Sequence, residues 1–257
     1  MVTIAIEGLS VSLGRRRVLR DIDVALEPGQ MIGVIGPNGA GKSTFARAIL
    51  ALLKPDAGRV RIDKTDVARM KRTDLARLIA YLPQGQAVHW PLTVERLVAL
   101  GRLPHLAPFS RIGAADHTAI EQAMAMADVL SLRDRIATEL SGGEQARALL
   151  ARALAVEAPA LIADEPLASL DPGHQIEVMG LLQAQARRGA LVVTVLHDLT
   201  MAARFCDRLL VIDKCRLVAE GPPRDVLTPE LLSVVYGVRA VIAESQDLPL
   251  IVPIERG

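Results

Sequence analysis

The stretch Gly36-Pro37-Asn38-Gly39-Ala40-Gly41-Lys42-Ser43-Thr44 constrains this chain more than any other. It follows the apolar run Met31-Ile32-Gly33-Val34-Ile35 and leads into an apolar, helix-like segment over residues 45–53. A buried strand before and an apolar helix after are the setting in which such a stretch becomes a phosphate-binding loop. Small residues let the backbone curl until its N–H groups converge on a phosphate, which also meets the positive end of the following helix. Lys42 then reaches the β- and γ-phosphates, and the Ser43 hydroxyl binds Mg²⁺. A glycine-rich turn that binds nothing explains neither Lys42 nor Ser43. The stretch therefore predicts binding of a nucleoside triphosphate.

The chain has 257 residues, enough to bury a large core in one elaborated α/β domain or two small ones. Apolar residues make up 51%, yet the longest apolar runs are strand-sized and fall short of the roughly 18–20 residues of a membrane helix. No basic start precedes an apolar run, so no signal peptide is expected. Thirty basic residues against twenty-nine acidic ones give no overall field for nucleic acid, and 2% aromatics leave few stacking platforms. No nucleic-acid partner is expected. Cys206 and Cys215 lack a metal-site spacing and suggest structural thiols in a reducing compartment.

Strand-like alternation marks three short early segments, residues 2–6, 11–13 and 22–26, and a further strand over 58–62. These predict an antiparallel sheet beside the nucleotide-binding core. A short helix over 73–77 and a strand over 78–82 follow. From Thr93 to about Arg135 the pattern is helical, over 94–100 and 115–130, with breaks at Pro104, Pro108 and Gly113. The reading is one domain over 1–257: an α/β core with its antiparallel β subdomain over 1–84 and 136–257, and an inserted helical subdomain over 85–135. Later strands over 161–163, 191–196 and 209–212, with helices between, predict a mostly parallel sheet.

Leu161-Ile162-Ala163-Asp164-Glu165 is an apolar strand ending in two carboxylates. Asp164 is placed to complete the metal site begun by Ser43, and Glu165 to accept a proton from an attacking water. Acidic pairs also commonly just end strands; the neighbouring phosphate loop favours the functional reading. His197 ends the run 191–196, on the sheet edge where α/β proteins bind ligands, and is placed to hold the γ-phosphate and the water. Gln84, after the 79–82 strand, offers an amide to Mg²⁺ or water, although loop glutamines are common. Leu140-Ser141-Gly142-Gly143-Glu144 leads into a helix and makes a second anion-binding cradle without its own lysine. Such a cradle makes sense if it serves another subunit's nucleotide.

Residues 36–44, Gln84, 140–144, 161–165, Ser169-Leu170-Asp171 and His197 stand in the order and spacing of the ATP-binding cassette (ABC) transporter ATPases, which the chain resembles over essentially its whole length. The resemblance implies Mg²⁺-dependent ATP hydrolysis in a head-to-tail dimer of two copies. Each ATP would lie between one subunit's phosphate loop and the other's Ser141, Gly142 and Gly143, with Asp171 linking the sites. The helical insert, hinged at Gln84, would grip the cytoplasmic loops of a membrane permease. That puts the protein on the cytoplasmic face of the inner membrane, peripherally, and implies a periplasmic or surface substrate-binding protein as an indirect partner. Trp90, the only tryptophan, either fills the insert's core or anchors the permease's helix. The family usually stacks an aromatic residue on adenine where this chain has Leu13; Leu13 and Val18 still offer an apolar shelf, and residues 15–17 add charge.

Residues 97–105, 197–204 and the tail Val235-Tyr236-Gly237-Val238 resemble the importers of iron-siderophores, haem and cobalamin. Sugar-import cassettes append a regulatory domain, whereas little follows Gly221 here. A zinc or manganese import ATPase is the nearest alternative. A non-transport cassette ATPase would usually carry two cassettes or a long coiled insert. A regulator without turnover would be expected to lack Glu165 or His197.

Overall fold

The computed structural model describes every residue except 86, 87, 108, 169, 246, 247 and 257, and the side chains of all but these and 244, 245, 248 and 256. The expected roles of Pro108 and Ser169 and of the segment through Gln86 and Ala87 lie outside the described residues.

Two long strands, β1 (Ile4–Leu13) and β2 (Arg16–Leu26), open the chain as a hairpin in which Leu13 pairs with Arg16. The early segments expected as separate strands are thus pieces of two continuous ones. Alternation breaks because the β1 register shifts between Ile6 and Leu9, around Gly8 at φ 58°, which moves the apolar side chains to the other parity. After β3 (Met31–Ile35) and α1 (Lys42–Ile49) come β4 (Ala57–Ile62) and the short β5 (Thr65–Asp66). The first sheet has the order β2-β1-β4-β5, antiparallel throughout.

The second sheet is built from β3, β6 (Ile79–Leu82), β7 (Ala160–Asp164), β8 (Leu191–Val195), β9 (Arg208–Asp213) and β10 (Arg216–Gly221). Its order is β10-β9-β3-β8-β7-β6, parallel except for β10. Strands β3, β7 and β8 are buried at every residue because both faces are covered, which is why they read as unbroken apolar runs. On one face Ile32, Val34, Ile162 and Val193 pack with α1 and the antiparallel sheet. On the other, Met31, Ile35, Leu161 and Val192 pack with a layer of further helices.

Helix α2 (Arg72–Leu78) packs through Leu75 with the first face, whereas the helices of the second face include α3 (Val94–Ala99), α4 (Ala114–Met126), α5 (Gly142–Leu154), α6 (Pro172–Arg187) and α7 (Leu199–Phe205). Helices α3, α4 and α5 pack on one another, so the inserted stretch shares its layer with a helix beyond residue 135. At their meeting point Arg102 is buried; it binds Asp116 at 2.9 Å, Glu157 at 2.7 Å and the Ala155 carbonyl at 2.7 Å. Trp90 is 73% exposed and does not fill the core of this layer. A hairpin absent from the sequence reading, β11 (Val238–Ser245) with β12 (Leu248–Arg256), ends the chain and is tied to α7 where Thr200 Oγ1 meets the backbone of Ile251. Cys206 is buried and Cys215 partly so; both are free thiols.

Candidate nucleotide site

The phosphate loop joins β3, at the middle of the parallel sheet, to α1. Two of its glycines are dictated by space as well as by φ. A Cβ on Gly36 would lie 2.0 Å from the Ile212 carbonyl oxygen, and one on Gly41 would lie 2.7 Å from the Val18 carbonyl oxygen. Helix α1 starts at Lys42 with Gly41 as its N-cap, and no side chain accepts from its first N–H groups. Ala40 N–H donates to Pro37 O at 3.2 Å, which closes the turn. The Lys42 ammonium is buried and donates to the carbonyls of Gly36 at 2.8 Å and Pro37 at 3.0 Å. Burial pushes its pKa down, against the pull of Glu165 and Asp164.

A cavity of about 300 Å³ opens over this loop. Asn38, Gly39, Gly41, Lys42, Ser43 and Thr44 form its floor. Leu13, Arg16 and Val18 from the β1–β2 hairpin line it as well, and Glu165 and His197 close another side. Leu13 and Arg16 are direct cross-strand partners, so a half-exposed leucine and a guanidinium face the loop together.

The strand ends at β7 and β8 bring the carboxylates and the histidine to the same edge. Asp164 is fully buried and accepts from Ser43 Oγ at 2.9 Å and from the Tyr81 hydroxyl at 3.4 Å. Burial raises its pKa, and the hydrogen bond from Ser43 works against that rise. Glu165 takes φ 52°, a conformation that costs a non-glycine residue roughly 1–3 kcal/mol. Its N–H is held by Val195 O at 3.2 Å, and its carboxylate has partners separate from those of Asp164. Gln84 Nε2 donates to Glu165 Oε2 at 2.6 Å, and His197 Nε2 lies 2.6 Å from Oε1, which places the imidazole proton on Nε2. Both oxygens of Glu165 are thereby engaged.

Ser43 and Asp164, with the Gln84 amide oxygen, are hard oxygen donors suited to Mg²⁺. Among the described residues no cluster of three or more His, Cys, Asp or Glu side chains could hold a metal, so an ion here would take its remaining ligands from phosphate and water.

Residues 141–143 and Asp171 do not line this cavity. Ser141 caps α5: its Oγ accepts from Glu144 N–H at 3.3 Å, and Glu144 Oε2 accepts from Ser141 N–H at 2.8 Å. Gly142 instead borders a separate cavity of about 270 Å³ together with Pro83, Gly85 and Glu165. Asp171 caps α6, and the hydrogen bond from His174 N–H holds its carboxyl below the usual range. The sequence reading missed Tyr81, whose partner Asp164 is 83 residues away, and gave Arg16 no more than a place in a charged run.

The model of the ABC transporter family matches residues 19–168, more than half of the chain. The hemin import ATP-binding protein HmuV of Nocardia farcinica is 48% identical over 223 residues, covering 86% of this chain and 76% of that protein. The cobalamin import ATP-binding protein BtuD of Halobacterium salinarum is 41% identical over 243 residues, covering 94% of this chain and 60% of that protein. A chain of an inward-facing metal-chelate type ABC transporter has the same fold, with a TM-score of 0.86 at 24% identity, covering 99% of this chain and 98% of its own. With a phosphate loop, a capped Ser-Gly-Gly helix start and two carboxylates on one sheet edge, the chain belongs to the ABC transporter family, as an ATP-binding subunit with ATPase activity.

Proposed function

We propose that this ATPase powers uptake of an iron complex, haem above all, or of cobalamin through a membrane permease. The observation that carries the cargo class is the identity to hemin and cobalamin import subunits across nearly the whole chain. The observation that carries the chemistry is Glu165 held between Gln84 and His197 at the rim of the phosphate-loop cavity.

In this reading the loop N–H groups of residues 36–44 and the Lys42 ammonium bind the β- and γ-phosphates and offset the charge that builds there. Ser43, Asp164 and Gln84 would hold Mg²⁺, which would supply further positive charge against the same oxygens. Glu165 accepts a proton from the water that attacks the γ-phosphate, and His197 orients that water. Gln84 and His197 each hold one Glu165 oxygen at 2.6 Å, which fixes the carboxylate while leaving each oxygen a lone pair to accept the proton. Gln84 begins the segment leading to the helical layer, so movement of that layer controls the base. Leu13 and Val18 give the adenine an apolar shelf, with Arg16 beside it.

Two copies pair head to tail, each offering Ser141, Gly142, Gly143 and Asp171 to the other's nucleotide; this is supported by the exclusion of all four from their own protomer's cavity. The core spans 1–84 and 136–257, and the helical subdomain 85–135 docks the permease, with the exposed Trp90 as an anchor. No helix among the described residues is long and apolar enough to cross a membrane, and the subunit associates peripherally with the importer, at the cytoplasmic face. A periplasmic or surface binding protein delivers the cargo.

The test is uptake into vesicles that carry this subunit together with its partner permease. ATP inside the vesicles drives hemin or cobalamin uptake, and Glu165→Gln abolishes it while leaving ATP bound, hydrolysis falling by roughly 10²–10⁴-fold. Uptake of zinc or manganese instead, or no uptake of hemin, an iron-siderophore or cobalamin, overturns the cargo assignment.

A further inference from the structure

Helix α5 carries the Ser141 cradle, and the start of α6 carries Asp171. One side chain stands between them. A Cβ built on Gly143 would lie 2.3 Å from His174 Cδ2 and 2.5 Å from both Cγ and Nε2, so the imidazole lies directly against the Gly143 backbone. No larger residue at 143 leaves the ring where it is. On its other edge, His174 Nδ1 is 2.7 Å from Asp171 Oδ2. Asp171 Oδ1 accepts from the His174 N–H at 3.0 Å, so the carboxylate caps α6 with one oxygen and holds the ring with the other. The ring is fixed from both sides.

Farther along the same seam, Arg147 Nη1 binds Glu177 Oε2 at 2.6 Å. Arg147 follows Gly143 by four residues and Glu177 follows His174 by three, so each pair shares one helix face and the two contacts lie in line. The His174 ring is about one-third exposed and the Arg147 side chain largely covered. The seam therefore joins two helix starts that stay out of their own protomer's nucleotide cavity.

We infer that His174 is a positioning residue that fastens the cradle of residues 141–143 to the Asp171 segment, so that both meet the partner's nucleotide as one body. This rests on the head-to-tail pairing proposed above. A displacement of Asp171 then reaches Gly143 through a single ring, and the two surfaces cannot close on a nucleotide independently.

The experiment uses the full chain carrying Glu165→Gln, with ATP-dependent dimer formation followed by light scattering and ATP binding to the monomer measured at low protein concentration. His174→Ala is expected to raise the ATP concentration for half-maximal dimerisation by roughly tenfold, within the usual range of coupling between sites, with monomer binding unchanged. His174→Asn puts an amide N–H near the place of Nδ1, retains the Asp171 bond and recovers much of the loss. His174→Gln, whose amide matches the Nε2 position, recovers little. Should His174→Ala fold poorly, the Asn and Gln variants alone decide. In a second arm, Gly143→Ala is expected to impair dimerisation less in the His174→Ala background than by itself, because its methyl no longer meets the ring. Dimerisation of His174→Ala at the parent ATP concentration, equal Asn and Gln variants, or an additive Gly143→Ala penalty each overturns the inference while the pairing stands. If Glu165→Gln with no other change forms no dimer with ATP, the pairing falls and the inference with it.

Discussion

The starts of α1 and α5 look alike as sequence, each a polar residue among glycines ahead of an apolar helix, and they are built in opposite ways. At α1, Gly36, Gly39 and Gly41 take φ of 145°, 76° and 111°, the N-cap has no side chain, and the first N–H groups of the helix have no side-chain acceptor. At α5, Gly142 and Gly143 are already helical, and Ser141 and Glu144 satisfy each other's N–H groups in a closed capping box. One start has a bare glycine cap; the other is braced by a side-chain cap within its own protomer. In the proposed pairing the first binds phosphate by itself, whereas the second contributes a surface to the other copy's nucleotide.

The largest effect that can break this contrast comes from damaging each start in a different copy. Lys42→Ala removes the only ammonium among the described residues lining the α1 site and is expected to cut ATP turnover by about 10²-fold or more. Ser141→Arg is expected to be equally inactive yet to bind ATP as a monomer. Mixed together, the two inactive variants should regain part of the turnover, since their heterodimer contains one site spoiled twice and one intact. ATPase assays of the singles and the mixture read this directly; full turnover by Ser141→Arg alone removes α5 from the site.

A smaller effect sharpens the α1 side. Asp164 is buried beside Ser43, and its raised pKa means that the folded chain binds this proton more tightly than the unfolded chain does. Its contribution to stability is then fully present below the ordinary carboxylate range and is lost as pH rises through the raised value. Asp164→Asn should accordingly melt higher than the parent at about pH 8, by a margin that shrinks once pH falls through the raised value into the ordinary carboxylate range, about pH 4, while Mg²⁺-dependent turnover is lost. An equal margin at both pH values would separate the stability change from ionisation.

The smallest effect belongs to α5. Ser141→Ala opens the capping box and is expected to cost about 1 kcal/mol, or some 2–4 °C in Tm for a chain of this size. ATP binding to the monomer should not change. A drop in monomer affinity would mean that the two starts are not separate within a protomer.

Residues whose role is local were legible in the sequence. The phosphate loop, the strand-end carboxylates and the Ser141 helix start are each defined by neighbours within a few positions, and strand β7 with Asp164 at its end follows from one apolar run. What escaped depends on contacts distant along the chain. Tyr81 reads as an ordinary strand residue until β6 pairs with β7 and turns it towards Asp164. His174 reads as a helix residue until α6 lies along α5 and brings it against Gly143. The β1 bulge at Gly8 splits one strand into two apparent ones, because period-two reasoning has no term for an inserted residue. Trp90 allowed a core and a surface reading alike, and only its 73% exposure removes the first.

The buried Arg102 has a mechanical consequence. Its guanidinium holds the Ala155 carbonyl, at the C-terminal end of α5, while the Ser141 cradle stands at the other end. Thirteen helical residues at about 1.5 Å each make an arm of roughly 20 Å between that anchor and the cradle. A tilt of about ten degrees about the anchored end would carry Gly143 through about 3 Å, which is the length of one hydrogen bond. In the proposed pairing, a rotation of that size would be enough to make or break a contact with the partner's γ-phosphate.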